Sequence, residues 1–251
     1  MDEPIYRKQF TLYGNDCDCF GRVKPATILG MMQESAGEQC AAWHMSWEEM
    51  AEKDLFWAIT RQTVEVTRLP RAYETITIET WPMPATRVAY PRATVVYDAE
   101  GKELFRCIAL WILMDLNSRA MVLPGKSGVT VNGLLTGSEL AAPGSMALQN
   151  APLQMRRTVR YSDLDVNGHM NNCRYMDWVS DTLPGTFHAS HRVSEFTVNY
   201  LSEARESEEL RLQFQLSDGP CLGVDALRNE GASAGHERVF SARVLFDGGV
   251  L

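Results

Sequence analysis

The chain has 251 residues, 45% of them apolar and 22% charged, an ordinary globular composition with enough length for one large core or two smaller ones, which excludes disorder over most of it. A formal charge of -8 excludes nucleic acid as a bulk partner, because binding phosphates needs a basic field. No apolar stretch reaches the roughly 18 to 20 residues a bilayer helix requires; with the acidic start MDEPIYRKQF the expectation is no membrane partner, no secretory or transit leader, and a cytoplasmic location.

From the N-terminus, TLYGNDCDCFGRV reads as a strand running into a turn. Pro25 then sits where a first-turn helix proline is tolerated, and Ile28, Leu29, Met32, Ala36, Cys40 and Trp43 recur at helical spacing, which predicts one long helix with a buried stripe. Ser46 and Glu49 form a capping box that opens a second, short helix over SWEEMAEKD. Strands follow in FWAITRQTVEVTRL, ETITIETWPMP and RATVVYDAEGKELFRCIALWILMD, with turn chemistry from Asp98 to Gly101 marking a hairpin. The alternation Thr75, Ile76, Thr77, Ile78 suggests sheets with one face on a core.

Residues 126–152, rich in Gly, Ser, Leu and Pro with no strong period, read as a linker, long enough that packing on the surface is expected. Beyond it the same order returns: LQMRRTVRYS as strand, NNCRYMDWVSDTL as helix, then SEFTVNYLSEA, ELRLQFQLSD, CLGVDALRN and ERVFSARVLFD as strands. The two halves also match residue by residue. Thr11/Thr158, Asp16/Asp163, Asp18/Asp165 and Gly21/Gly168 are identical at one offset, and Val64/Val198, Arg71/Arg205 and Glu74/Glu208 at a smaller one, as if the second copy had a shorter helical insertion. Order and context favour duplication. The fold class expected is α+β, each half a long helix wrapped by an antiparallel sheet, with domains over 1–125 and 153–251 joined by 126–152.

The segment YSDLDVNGHMNNCRYMDW carries the chemistry. Asn167 can donate an amide N–H, His169 can accept or donate a proton near neutral pH, and Asp165 could orient either. The helix that follows presents backbone N–H groups suited to an oxyanion. Asp, Asn and Gly are equally the residues of an ordinary turn, but the first copy has Phe20 and Arg22 where the second has Asn167 and His169, so the turn does not require the amide and imidazole. This motif, an Asp-x-Asn-x-His set followed by the paired Asn171 and Asn172, resembles that of the acyl-acyl-carrier-protein thioesterases of plant plastids and bacteria. FWAITRQTVEVTRLPRAYETITIETWP and ALWILMDLNSR in the first half are similar to the same family's N-terminal domain.

The resemblance implies a tandem (double) hotdog, with the acyl-chain pocket in the first half and the catalytic residues in the second. It implies hydrolysis of the acyl-acyl-carrier-protein thioester to free fatty acid and holo-carrier, in fatty acid biosynthesis, without metal or organic cofactor. The partner implied is acyl carrier protein with its phosphopantetheine-linked chain. The resemblance also places the base at Glu203, in NYLSEAR. Plant members carry cysteine directly after that glutamate and this chain has Ala204, so a water activated by Glu203, or attack by Glu203 itself, remains. Read without the resemblance, Glu203 is one solvated glutamate among Glu206, Glu208 and Glu209.

Other features carry less. Six scattered cysteines, Cys17, Cys19, Cys40, Cys107, Cys173 and Cys221, lack metal or redox spacing and read as reduced thiols. His188 and His191 form an H-x-x-H pair in the connection after the second helix and read as surface residues. The first helix's apolar stripe, Met32 and Ala36 included, reads as core that could also line an acyl pocket. Arg156, Arg157 and Arg160 precede the motif and are docking candidates for an acidic carrier; alternation puts 156 and 160 on one face and 157 on the other. An acyl-coenzyme A thioesterase, a hydratase, and a non-catalytic acyl-binding module stay open as alternatives, and a homodimer is expected only by analogy.

Overall fold

The computed structural model describes residues 4–135, 140–147, 151–217, 219–229 and 236–248. The chain divides into two compact units, Met1–Pro143 and Gly144–Leu251, and the division falls inside the 126–152 segment.

In the first unit the elements are β1 (Tyr6–Thr11), α1 (Pro25–Ala42), α2 (Trp47–Ala51), β2 (Leu55–Val66), β3 (Thr75–Pro82), β4 (Tyr90–Tyr97), β5 (Glu103–Asp115) and the two-residue β6 (Met121–Val122). The strands pair antiparallel in the order β1-β3-β4-β5-β2, with β6 hydrogen-bonded to β5. Helix α1 starts at Pro25, whose missing N–H would have had no intrahelical acceptor there. Its Ile28, Leu29, Met32 and Ala36 are buried, and the helix packs on β1 and β3. Full burial of the Ile28, Leu29 and Met32 side chains contributes roughly 1.5–3 kcal/mol each, which offsets the cost of two mid-helix glycines, Gly30 and Gly37. The Ser46 capping box forms as expected, with Glu49 N–H on Ser46 Oγ at 3.3 Å and Ser46 N–H on Glu49 Oε2 at 2.9 Å. At the β4–β5 hairpin Gly101 adopts φ +78, a conformation that favours glycine.

The second unit repeats the plan with β7 (Leu153–Thr158), α3 (Arg174–Ser180), α4 (Gly185–Ser190), β8 (His191–Tyr200), β9 (Glu209–Ser217), β10 (Cys221–Asn229) and β11 (His236–Gly248). Its antiparallel order, β7-β9-β10-β11-β8, is that of the first unit strand for strand. Tyr175 of α3 lies edge-on to Phe240 of β11 with ring centroids 4.6 Å apart, and Met176, Trp178 and Val179 complete the buried face of this helix.

The helices depart from the sequence reading in the second unit. A long helix was expected there, but α3 has 7 residues against 18 in α1. Thr182 turns its hydroxyl onto Val179 O at 2.8 Å, and Pro184 disfavours helical backbone at Leu183. The connection then forms α4; His188 Nε2 within it lies 3.0 Å from Ser180 O, and His191 Nδ1 at the start of β8 lies 3.1 Å from Phe187 O. The H-x-x-H pair is thus part of the packing around α4. The segment after β6 packs on the first unit: Tyr90 Oη hydrogen-bonds Ser127 Oγ at 2.8 Å, Leu134 N–H reaches Pro82 O at 2.9 Å, and Val129 and Val131 lie against the core around Met50 and Leu113.

Candidate active site

The site begins as a tight turn found in both units. In the second, Asp165 N–H donates to His169 O at 2.9 Å, Gly168 N–H to Asp165 O at 3.0 Å, and Asn167 N–H to the Asp165 carboxylate at 2.8 Å. In the first, Asp18, Gly21 and Phe20 make the same three bonds at 2.7, 2.9 and 2.9 Å. Gly21 and Gly168 both sit at φ +74, in the left-handed region where a Cβ is strained. The aspartate and glycine therefore build the turn, and Asn167 and His169 are not needed to make it. The Asp165 carboxylate accepts the Asn167 backbone N–H, which shapes the loop.

What differs is the side chain at the turn's exit. Arg22 folds back on Asp18, Nη2 to Oδ2 at 2.9 Å, and stacks over Phe20. His169 instead points across to the segment 201–208, where its Nε2 lies 3.1 Å from Glu203 Oε2. The His169 side chain is 12% exposed and that of Glu203 42%, so the ring is held in the protein while the carboxylate opens to solvent. Asn167 is exposed in the same turn.

Glu203 does not lie in a strand. β8 ends at Tyr200, because the next two N–H groups, of Leu201 and Ser202, both turn to Val239 O at 2.9 and 3.1 Å. The loop is tied to the turn by Met170 N–H on Ala204 O at 2.8 Å and by the His169–Arg205 backbone bridge. It is also tied to the sheet by Arg228 of β10, whose guanidinium donates to Glu203 O, to Ser202 Oγ at 3.2 Å and to Glu208 Oε2, and pairs with Glu237. Sequence reasoning missed this clamp, since Arg228 is distant in the chain and carries no motif. Ala204 is fully buried beside the catalytic candidates.

Three of the backbone N–H groups around the start of α3 already have acceptors. Asn171 N–H is bonded to Asp163 O, Cys173 N–H to Asn171 Oδ1 and Arg174 N–H to Asn171 O, all at 2.8 to 2.9 Å. The paired-asparagine turn thus consumes donors that were expected to face an oxyanion. Burial pushes the Cys173 thiol up to about 12, helped by the nearby Asp177 and Asp165 carboxylates, so no thiolate nucleophile forms there at neutral pH.

The three candidate docking arginines do not form one cluster. Arg156 pairs with Glu209; Arg157 is half-buried, pairs with Asp181 and lies over the Trp178 ring. Arg160 is exposed past the end of β7, at the entry to the turn, rather than in alternation with 156. In the first unit a cavity of about 190 Å³ opens between α1, α2 and the sheet, walled by Cys40, Trp43, Met45, Met50, Trp57 and Trp111 among others. Ala36 lines it; Met32 does not, and is buried core one turn earlier. Arg92 of β4 also lines it, a residue the sequence reading passed over. Among the described residues no cluster of His, Cys, Asp or Glu could hold a metal ion, and no helix is long and apolar enough to cross a membrane.

Two units of identical strand order, each an antiparallel sheet with a helix packed on it, and a shared turn whose exit carries a histidine–carboxylate pair in the second unit but Arg22 on Asp18 in the first, define a tandem hotdog protein with one differentiated site. Family models agree: the acyl-ACP thioesterase N-terminal domain matches residues 3–123 and the C-terminal domain residues 147–243. The chain belongs to the acyl-ACP thioesterase family. It is 32% identical over 180 residues to a chloroplastic dodecanoyl-[acyl-carrier-protein] hydrolase of Umbellularia californica, an alignment covering 68% of this chain and 47% of that protein. The chain spans about half the length of the curated relatives it matches. Among solved structures, an acyl-ACP thioesterase from Bacteroides thetaiotaomicron superposes with TM-score 0.87 at 24% identity, covering 97% of this chain and 98% of that one. The 12:0-ACP thioesterase of Umbellularia californica superposes with TM-score 0.82 at 24% identity, covering 98% of each.

Proposed function

We propose that this chain hydrolyses the thioester of acyl-acyl-carrier protein, releasing a free fatty acid and holo-carrier in fatty acid biosynthesis. The observation that carries this reading is the His169–Glu203 contact of 3.1 Å, built on a turn whose first-unit counterpart has the same backbone and neither side chain. Family membership supplies the reaction class. In this reading a water held by Glu203 attacks the carbonyl carbon and gives its proton to the carboxylate; the tetrahedral intermediate then breaks its C–S bond, and the proton passes to the departing sulfur through Glu203 or His169. Asn167, exposed beside the pair, is the donor assigned to the carbonyl oxygen. Attack by Glu203 itself is the alternative, and a single turnover in ¹⁸O-water detects it: label in the Glu203 carboxylate establishes an anhydride hydrolysed at the glutamyl carbonyl.

The first unit receives the acyl chain in its apolar cavity, with Ala36 in the wall, and the second supplies the chemistry, so the units 1–125 and 153–251 divide the work. The carrier, an acidic partner, is met by Arg156, Arg157 and Arg160. Six free cysteines fit a reducing compartment such as the cytoplasm. The test is an assay of the purified protein on carrier-bound acyl chains of several lengths, reading free fatty acid and liberated carrier thiol. Turnover of acyl-coenzyme A in preference to the carrier-bound form, or hydration of enoyl substrates, would replace the reading.

A further inference from the structure

Three side chains of formal charge are buried among the described residues: Arg22, Arg92 and Asp225. Arg22 faces Asp18 at 2.9 Å, and Asp225 faces Arg238 at 3.5 Å and the Ser241 hydroxyl. Arg92, 8% exposed, has only neutral partners. Its Nη1 donates to Gln39 Oε1 at 2.7 Å and Thr80 Oγ1 at 3.3 Å, and its Nη2 reaches Cys40 Sγ at 3.9 Å. A buried cation without a counter-charge is costly, and a guanidinium does not escape by losing its proton. Strand β4 is buried on both faces along Tyr90–Val96, so an apolar residue would fit this position without that cost.

Arg92 lines the cavity of the first unit together with Trp57 and Trp111. The wall therefore holds a cation, and among its lining residues there is no carboxylate. Buried charges are normally paired; one with no counter-charge in an otherwise largely apolar wall points to a ligand that brings it. The volume of about 190 Å³ slightly exceeds the ~150 Å³ void that takes a benzene, enough for a chain of roughly six to eight carbons.

We infer that this cavity selects acyl groups carrying an acceptor oxygen at the end remote from the thioester, a terminal carboxylate above all, bound by Arg92. The acyl group's thioester rests on the function proposed above; the binding of the oxygenated end does not. An anionic terminus neutralises the guanidinium, and a methyl terminus leaves it without a counter-charge. A pocket built to hydrogen-bond a polar group discriminates strongly against the analogue that lacks it.

Two measurements test this. The first needs no turnover and no variant: quenching of tryptophan fluorescence by an eight-carbon acyl amide, compared with the same amide bearing a terminal carboxylate. The carboxylated amide is expected to bind roughly 10-fold or more tightly, and equal or weaker binding overturns the inference. The second compares hydrolysis of eight-carbon thioesters ending in methyl, hydroxyl and carboxylate by the wild type, Arg92→Met and Arg92→Lys. The wild type should prefer the carboxylate, Arg92→Met should reverse that order, and Arg92→Lys should keep it in part. A wild-type preference for methyl that Arg92→Met leaves unchanged refutes the assignment. If no thioester is hydrolysed while the carboxylated amide still binds more tightly, the hydrolase reading fails and the ligand assignment stands.

Discussion

Removing the imidazole or the carboxylate at the second turn tests the proposed chemistry most directly. His169→Ala and Glu203→Ala are each expected to lower kcat by roughly 100-fold or more, the usual contribution of a positioned acid–base group; a factor of 100 corresponds to about 2.7 kcal/mol of barrier. Stability should hardly change. The contact joins a ring that is 12% exposed to a carboxylate that is 42% exposed, and partly exposed pairs of this kind contribute about 0–1 kcal/mol. For a chain of this size that is a melting shift of about 2–4 °C at most. If the two groups act as one unit, the double variant should be no slower than the worse single variant. The control is Arg22→Ala: losing the guanidinium 2.9 Å from Asp18 should cost stability and leave turnover. The assay is single-turnover hydrolysis of a carrier-bound acyl chain, with thermal melts on the same preparations. Folded His169→Ala and Glu203→Ala proteins that retain wild-type turnover would falsify the site, and loss of chemistry in a folded Arg22→Ala would move it to the other unit.

Filling the cavity from α1 with Ala36→Trp should shift preference toward shorter acyl chains, measured across carrier-bound substrates of graded length; an equal loss at every length marks Ala36 as ordinary core. Reversing Arg156 with Arg160, and separately Arg157, to Glu should raise KM for carrier-bound substrate in at least one case while a short coenzyme A thioester is unaffected, and added salt should weaken use of the carrier. Arg157→Glu also sets a carboxylate against Asp181, so its melting temperature must be read alongside; unchanged discrimination and no salt effect place docking elsewhere. Cys173→Ala should keep turnover, since burial holds that thiol protonated, and alkylation under native conditions should label exposed Cys19 before Cys173; inactivation that tracks modification of Cys173 contradicts this.

Much of this molecule was legible in the order of its residues. Most sequence-predicted strands formed within a few residues of their expected ends, because period-two alternation and turn residues act locally; the first instead ends at Thr11, where it was expected to begin. The Thr11/Thr158 to Gly21/Gly168 match foretold two turns with the same hydrogen bonds and the same φ at glycine. The internal repeat also set Asn167 and His169 apart, since the first copy carries Phe20 and Arg22 there, whereas Glu203 was reached through the family resemblance. The end of α3 was legible at Thr182 and Pro184, yet the helix was expected to run on to Leu183; local pattern could not decide the fate of the N–H groups around Asn171, which depends on which carbonyls the turn brings near. Packing alone revealed that Arg228 holds the Glu203 loop from a strand far along the chain, and that Arg92 lies in a cavity wall with no carboxylate to face it. Those are properties of neighbours in space, and a side chain's partners and burial become defined only when distant strands are paired.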